Sequence, residues 1–219
     1  MSSTINQEIY KSRNTMLELL KYQGYDVSEY EGLSLTEIDI RYRNAQLDML
    51  VENKDHTKKV YVRYHLGENI KQLAKKDLND IIEDLFQVDD PITQQPVLSG
   101  SDTFAIIVGG DPNNTPNDTM KQYLEYKYDN EHMFITIFNI RRLQFNVLHH
   151  KLNPEIRILT NTEVDEVVKR YNLTSVNQLP DFSRFDPLAM AVFMKPGEVS
   201  YQKSNSPTAM FNVRYVLCK

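Results

Sequence analysis

Asp48 is the residue of this sequence most suggestive of metal chemistry, because it lies at the first strand of a predicted β-hairpin. Metal-assisted hydrolysis of a phosphodiester needs several carboxylates that converge on one cation. The second strand of the hairpin reads Val60-Tyr61-Val62-Arg63-Tyr64 and carries no acid. A lone aspartate is typical of a solvated strand residue, so the sequence argues against a metal-dependent nuclease.

Other patterns also point away from catalysis. Gly109-Gly110 lies between a predicted strand and helix, but the GxGxxG and GK[ST] patterns are missing and Asp111 would repel a phosphate. Neighbouring residues on a strand point to opposite faces, so His149-His150 could not easily share one metal. Cys218 is the sole thiol and no GxSxG elbow marks a serine nucleophile, so we predict no zinc site, no metal and no cofactor.

The loop Asn114-Thr115-Pro116-Asn117 is more informative, because it begins a predicted helix that runs to about Tyr128. We expect Thr115 to cap this helix and Pro116 to occupy its first position. The free N–H groups of a helix start can hold one phosphate without any lysine. Lys121, one turn further, could add a phosphate contact or could simply be solvated.

Residues 1–148 have the pattern of an α/β domain. A helical stripe predicts a helix over residues 5–23 that ends at Gly24, and Ser34-Leu35-Thr36-Glu37 has the spacing of a capping box. The apolar runs Thr103–Val108 and Met133–Phe138 are typical of strands buried on both faces, and the helix between them predicts parallel pairing. The other predicted elements are a hairpin of 47–52 with 59–64, a helix over 78–86 and a loop over 89–101.

Residues 149–219 have the pattern of a small α+β domain. A helix is predicted over 162–171, and a second one over 188–193, with Asp186 as its cap and Pro187 at its first position. Lys195-Pro196-Gly197 predicts a turn that stops this helix. Strands are then predicted over 198–202 and 210–217, with a turn at Ser204–Pro207 between them.

Composition is ordinary for a globular protein, with 41% apolar and 25% charged residues among 219. No run reaches the roughly 20 apolar residues of a membrane helix, and neither a signal peptide nor a membrane partner is predicted. The formal net charge of −5 argues against a general nucleic-acid binder. From His150 onward there are nine Lys/Arg and seven Asp/Glu, so residues 1–149 carry −7 and any DNA contact must be local or shared with partners.

Six short motifs of the C-terminal part occur in the order and spacing of one known family. They are Lys169-Arg170-Tyr171, Gln178-Leu179-Pro180, Asp186-Pro187-x-Ala189, Lys195-x-Gly197-Glu198-Val199, Ser206-x-Thr208-Ala209 and Arg214-Tyr215. Through them the chain resembles the fifth subunit shared by eukaryotic RNA polymerases I, II and III, together with its counterpart in the archaeal RNA polymerase. The first helix resembles the same family in Arg13-Asn14-Thr15-Met16-Leu17-Glu18-Leu19-Leu20, and the likeness is weakest between Ser28 and Ser101.

The resemblance implies a non-catalytic subunit of a DNA-directed RNA polymerase that acts in transcription in the nucleus. Residues 1–148 would form a jaw domain with a nuclease-like fold that lacks catalytic residues, beside the downstream duplex DNA. In the family the matching Thr-Pro loop faces this DNA, so Thr115, Pro116 and Asn117 are expected near the duplex, with weak binding that depends on the complex. Residues 149–219 would form an assembly domain that anchors the chain to the largest subunit and helps to assemble the other polymerase subunits.

The resemblance also implies which residues belong to the subunit interface. They are Arg184, Asp186, Pro187, Lys195, Gly197, Glu198, Thr208 and Arg214. Asp186 is expected to be a helix cap and Gly197 a turn residue. Arg184, Lys195 and Arg214 are expected to contact carboxylates or carbonyls of a partner, since interface charges fix register more than they add affinity.

Some positions depart from the family pattern. Pro196 replaces the cation of the usual Lys-Arg-Gly turn, Ile156 replaces a histidine, and Asn153 replaces an apolar residue before Pro154. These changes suggest a divergent member, from a large DNA virus or a fast-evolving eukaryote. A viral origin would place the protein in the host cytoplasm or the virion instead of the nucleus.

Two alternatives from other functional classes stay open at this point. One is a stand-alone nuclease-fold DNA-binding protein, which as an enzyme would require an Asp/Glu-x-Lys metal set that the sequence does not show. A free adaptor that binds transcription regulators through the acidic N-terminal part would function without the polymerase, whereas a subunit would depend on it.

Overall fold

The structure is a computed structural model that describes residues 2–66, 73–86, 96–100, 102–111, 116–206 and 208–219. The chain divides into two compact units, Met1–Phe145 and Asn146–Lys219. The domain limits predicted from the sequence, 1–148 and 149–219, differ from this division by three residues.

The N-terminal unit begins with helix α1, Ser2–Tyr22. Ile9, Met16 and Leu20 of the predicted stripe are fully buried. The helix ends as predicted at Gly24, which has a φ of +87°. The Tyr25 N–H donates to the Leu20 carbonyl at 3.1 Å and the Gly24 N–H to the Lys21 carbonyl at 3.1 Å, so the helix ends in a Schellman motif.

Helix α2, Leu35–Arg43, begins with the predicted capping box, in which the Ser34 side chain accepts from the Glu37 N–H and Glu37 accepts from the Ser34 N–H. Strands β1, Met49–Glu52, and β2, Lys59–His65, follow. They pair antiparallel, which confirms the predicted hairpin. Helix α3, Lys75–Phe86, then buries Leu78, Ile81, Ile82 and Leu85, while most of the predicted loop over 89–101 lies outside the described residues.

Strands β3, Thr103–Val108, and β4, Phe134–Asn139, are the most buried strands of this unit, since every residue of both is buried. They are joined by helix α4, Asp118–Glu131. β3 pairs parallel with both β2 and β4, so the predicted strand–helix–strand unit is confirmed. The sheet order is β1-β2-β3-β4, a mixed sheet of an α/β unit.

The C-terminal unit is built on a second sheet of order β5-β7-β8-β6. Its strands are β5, Glu155–Ile158, β6, Asp181–Phe182, β7, Val199–Ser206, and β8, Met210–Cys218. Helix α5, Asn161–Arg170, and the short helix α6, Pro187–Ala191, confirm the two predicted helices. Strands β5 and β6 were not predicted: β6 has only two residues, whereas β5 alternates polar and apolar residues over four positions, a strand signal that the sequence analysis missed.

Two small apolar clusters stabilise the C-terminal unit, one on each face of the sheet. Adjacent residues of a strand point to opposite faces, so Leu217 and Cys218 belong to different clusters. Leu217 packs with Leu159, Val167 and Val199, whereas Cys218 packs with Ile156, Ala189, Val192 and Met194.

Two sequence predictions are wrong in detail. The turn expected at Ser204–Pro207 is strand as far as Ser206, because Ser204 and Asn205 pair with Asn212 and Phe211 of β8 in a continuous ladder. Helix α4 begins at Asp118 and not at Pro116, and it extends to Glu131, beyond the predicted end at Tyr128. His132, with a φ of +56°, terminates it.

Candidate functional site

The segment Lys195–Glu198 is a tight turn that its sequence specifies. The Glu198 N–H donates to the Lys195 carbonyl at 3.1 Å, and Gly197 has a φ of +89°. Pro at the second and Gly at the third position are the residues that a type II turn requires. The Glu198 carboxylate accepts from the Lys195 N–H at 2.7 Å, which closes the turn a second time.

This turn is joined to the end of β8 by backbone hydrogen bonds. The Gly197 N–H donates to the Cys218 carbonyl at 3.0 Å, and the Cys218 N–H donates to the Glu198 carbonyl at 2.9 Å. On the other side of the strand, the Arg184 N–H donates to the Lys219 carbonyl at 2.9 Å. The chain from Arg184 to Glu198 therefore surrounds the carboxyl end of β8.

Asp186 and Pro187 begin α6 as predicted. The Asp186 side chain accepts from the Leu188 N–H at 2.9 Å, and Pro187 lies exposed at the first position of the helix. Asp186 is therefore a structural cap, and Pro187 is the member of this pair that presents surface.

Arg184 is buried, with 5% of its surface exposed. Its guanidinium lies over the Phe185 ring, 5.2 Å from the centroid. Burial raises the pKa of the neighbouring Cys218 thiol to about 11, so this thiol is protonated at neutral pH. A contact between Arg184 and a partner carboxylate would need a shift of this packed side chain.

Arg214 and Thr208 lie apart from the other predicted interface residues. Arg214 is exposed on β8 opposite Gln202, and Thr208 is exposed in the turn that joins β7 to β8. The structure thus brings together Arg184, Asp186, Pro187, Lys195, Gly197 and Glu198 around one end of β8. It leaves Thr208 at the opposite end of the same strand, with Arg214 between the two.

An apolar groove of about 440 Å³ lies beside the Lys195–Glu198 turn. Its apolar walls come from α5, the turn and the two central strands, and they include Leu159, Val164, Val176, Pro196, Val199 and Leu217. Glu198 and Lys219 line it as well, so the groove could accept an apolar side chain with a polar flank.

The predicted DNA-facing loop differs from expectation in its cap. The Asn117 side chain accepts from the Met120 N–H at 2.9 Å, so the cap of this helix is Asn117, a residue type at least as good in this position as threonine. Pro116 is buried, and Thr115 lies outside the described residues. The Lys121 ammonium lies 3.0 Å from the Asp118 carboxylate, so a phosphate would compete with an existing ion pair.

Asp48 is not the solvated residue that the sequence suggested. Its carboxylate accepts from the Tyr61 hydroxyl and from the Tyr64 N–H, each at 3.0 Å. Burial, and next the Asp48 charge, raise the pKa of Tyr61. Asp48, directly before β1, is therefore hydrogen-bonded to β2, and each of its two carboxylate oxygens accepts one hydrogen bond.

His149 ends a 3-10 turn, Val147–His149, and His150 is the residue that follows it, so the pair does not lie on a strand. His150 Nδ1 accepts from the Leu152 N–H at 3.3 Å, an ordinary local hydrogen bond. Across the described ranges, no group of three or more His, Cys, Asp or Glu side chains is arranged to hold a metal ion. Within the same ranges, no helix has the length and apolar character needed to span a bilayer.

Sequence reasoning did not anticipate the exposure of the hairpin formed by β7 and β8. Met210 is 82% exposed and Phe211 52% exposed, although both belong to a predicted strand. The sequence nevertheless carried a signal that this segment is unusual: residues 199–218 contain two cations and no carboxylate, although the whole chain has a net charge of −5.

Comparison with known proteins identifies relatives for both units. The family model described as "RNA polymerase Rpb5, C-terminal domain" matches residues 145–218. The "DNA-directed RNA polymerase subunit Rpo5" of Thermococcus kodakarensis is 40% identical over 74 residues, which are 34% of this chain and 89% of that protein.

Two eukaryotic relatives align over most of this chain. The "DNA-directed RNA polymerases I, II, and III subunit rpabc1" of Dictyostelium discoideum is 27% identical over 206 residues, 94% of each chain. The "DNA-directed RNA polymerase V subunit 5A" of Arabidopsis thaliana is 25% identical over 205 residues, 91% of this chain and 82% of that protein.

Proposed function

Because this chain belongs to the family of the fifth subunit of multisubunit RNA polymerases, we propose that its C-terminal unit anchors it to the largest polymerase subunit and that its N-terminal unit lines the downstream DNA. Membership makes the chain a subunit of a DNA-directed RNA polymerase, with a role in transcription. The eukaryotic relatives support a nuclear location.

The extent of the family match carries the proposal for the C-terminal unit. The match over 145–218 and the compact unit Asn146–Lys219 coincide almost completely. A third of this chain, moreover, corresponds to nearly all of an archaeal protein that is named a polymerase subunit. A segment of this size is therefore sufficient for membership of the enzyme, which supports an assembly role.

We propose that the chain has no catalytic role of its own. Asp48 is the acid that the sequence singled out for metal chemistry, and its two oxygens accept hydrogen bonds from Tyr61 and Tyr64. These bonds give Asp48 a structural role in the sheet, and within the described ranges it belongs to no group of three or more side chains that could hold a metal ion.

The proposed anchor is the end of β8 and the chain that surrounds it. Pro187 and Gly197 are exposed there, with Lys195 and Glu198 half-buried beside them. In this proposal Asp186, Gly197 and Glu198 hold the backbone in place, while Lys195 and Pro187 contact the largest subunit.

The anchor is tested by co-expressing the tagged full-length chain with the other polymerase subunits of the same source. We expect the tag to capture the largest subunit in equal amounts, and Lys195→Glu to lower this yield by roughly tenfold through charge repulsion in a desolvated contact. Lys169→Glu, an exposed charge reversal on α5, is the matched control and should leave the yield unchanged. A folded chain that captures no largest subunit would contradict the assembly role.

The proposed DNA contact is weak and belongs to the assembled enzyme. The start of α4 offers the N–H groups of its first turn, but Asp118 is 92% exposed beside Lys121 and opposes a phosphate. We expect Lys121 to contribute about one phosphate contact in the assembled enzyme. Because Asp118 opposes this contact, the isolated chain should bind DNA with little affinity.

Cross-linking of the assembled polymerase to a downstream duplex tests this contact. Lys121→Ala should reduce cross-linking to this chain and lower the salt slope of DNA binding by about one. Lys11→Ala, at an exposed position of α1, should change neither quantity. Strong, salt-dependent binding of duplex DNA by the isolated chain at physiological ionic strength would contradict the proposal.

A further inference from the structure

Within the described part of the chain, the outer edge of β8 has no strand beside it along most of its length. On this side β8 pairs with β6, but only through Leu217 and Cys218. Over Met210–Val216, no strand among the described residues lies on that side. Along these seven consecutive residues of β8, the sheet therefore has an unpaired edge within the described residues.

The direction of the free backbone groups follows from the bonds at the paired end. The N–H groups of Leu217 and Lys219 donate toward the β6 side, to the carbonyls of Pro180 and Phe182, each at 2.9 Å. The Cys218 N–H donates in the opposite direction, to Glu198. Backbone groups alternate along a strand, so those of Tyr215 and Val213 also point to the open edge.

This edge lacks the features by which proteins usually block strand addition. The β7–β8 register runs without a bulge from Val199 opposite Leu217 to Ser206 opposite Met210. β8 contains no proline and one charged residue, Arg214. Bulges, prolines and several charges are the common protections of an exposed edge.

The side chains along the edge indicate what would fit against it. Arg214 is exposed and makes no ion pair with any described residue, and it shares its face with Met210. The opposite face carries Phe211, Val213 and Tyr215. The hairpin contains no carboxylate that could compete for Arg214.

We propose that an extended segment of another polymerase subunit adds to the sheet along this edge, with a carboxylate facing Arg214 and apolar side chains facing Val213 and Phe211. Main-chain hydrogen bonds to Val213 and Tyr215 give the affinity, and the alternating side chains give the register. The intramolecular strand β6 already occupies the same edge further along, in parallel orientation. The identity of the partner rests on the proposed assembly role of the C-terminal unit, whereas the observation of the edge does not depend on that role.

Residue-resolved hydrogen exchange tests this directly on the full-length chain, free and in the purified polymerase. In the free chain the Val213 and Tyr215 amides should exchange quickly, while Asn212 and Arg214, which face β7, should be protected. In the polymerase, exchange at Val213 and Tyr215 should slow by roughly tenfold or more. Co-purification without this protection would overturn the added strand and leave the polymerase subunit intact.

Variants of the edge give a second readout. Val213→Pro removes one outward N–H but no bond to β7, so the hairpin should persist and incorporation into the polymerase should fall by about tenfold. Val213→Ala keeps the N–H and should be incorporated normally. Arg214→Glu should also reduce incorporation, whereas Lys151→Glu, an equal charge change at an exposed position, should not.

Other occupants would give different results. Protection that disappears on nuclease treatment would mean that a nucleic acid covers the edge, and it would overturn the proposal. Protection in the free chain that rises with its concentration would show that a second copy pairs along β8, with the same consequence. Normal incorporation of Arg214→Glu would exclude the carboxylate partner.

Discussion

In the N-terminal unit two strands of the sheet, β3 and β4, lie in the interior, whereas in the C-terminal unit part of the longest strand forms the surface. Every residue of β3 and β4 is buried. In β8, by contrast, only Val216, Leu217 and Cys218 are buried, and the other end carries exposed Met210 and Phe211. The buried strands of the first unit contribute to its stability, whereas the exposed half of β8 contributes little to a core and is available to contact a partner.

Local features are nevertheless alike in the two units. Each has a capping box, Ser34 with Glu37 and Thr160 with Glu163. Each ends a helix or a turn with a glycine in the left-handed region, Gly24 and Gly197. Each buries one arginine, Arg13 at 1% and Arg184 at 5% exposure, against an aromatic ring.

The comparison teaches that the same local features serve different constraints. A buried core accepts apolar exchanges of similar volume, so many sequences can maintain it. A surface that must fit a partner also constrains charge and backbone exposure.

The largest expected effect concerns two phenylalanines. Phe104 is fully buried in β3. Phe104→Ala should lower the free energy of unfolding by about 3–5 kcal/mol, because the truncation leaves a cavity. Phe211→Ala, at a 52% exposed site of β8, should change stability by less than about 0.5 kcal/mol. Urea unfolding measures both, and equal losses would contradict the contrast between the units.

Substitutions at two glycines, Gly24 and Gly197, test stability and assembly separately. An added Cβ at Gly24 or at Gly197 would meet nothing within 4 Å, so each Gly→Ala change costs only the left-handed conformation, about 1–2 kcal/mol. Thermal unfolding should therefore show similar losses for the two variants. If the Lys195–Glu198 turn contacts the largest subunit, Gly197→Ala alone should also reduce incorporation into the polymerase; equal incorporation would separate the turn from the interface.

The cap of α4 has a smaller expected effect. Asn117→Ala removes the acceptor for the Met120 N–H and should cost about 0.5–2 kcal/mol, measured by urea unfolding of the full chain. Asn117→Ser should restore most of the loss, because serine caps through the same geometry. A Ser variant as unstable as the Ala variant would indicate that Asn117 acts other than as a cap.

The smallest effect concerns the two capping boxes at acid pH. The Thr160 N–H, and next the Arg157 side chain, lower the pKa of Glu163, and the Ser34 N–H lowers that of Glu37. A lowered pKa in the folded state stabilises the fold above the unfolded-state pKa of about 4.3, and this contribution is lost as pH falls through the folded-state pKa.

Gln can occupy the third position of a capping box but does not titrate there. Glu163→Gln and Glu37→Gln should therefore flatten the fall in stability below about pH 4.3. Added salt should weaken the Glu163 effect more than the Glu37 effect, because Arg157 lies 2.8 Å from the Glu163 carboxylate, whereas the charge of Arg41 is the smallest contribution to the lowered pKa of Glu37. A salt response of equal size at Glu37 would contradict this assignment.

Much of the fold follows from local sequence alone. The capping box at Ser34, the Schellman end at Gly24 and the turn at Lys195–Glu198 each depend on residues within about six positions. The buried strands β3 and β4 were likewise predicted from continuous apolar runs. The family was also recognised in the sequence, from motifs whose order and spacing can be read without a structure.

Tertiary structure decided what no local pattern carries. Arg184 and Asp48 have the residue types of an interface cation and a metal ligand, and only packing shows that one is buried and the other hydrogen-bonded to β2. Strand β6 is two residues long and exists because β8 offers it a partner. The open edge of β8 has the same origin, since pairing between strands distant in sequence determines which backbone groups are left exposed.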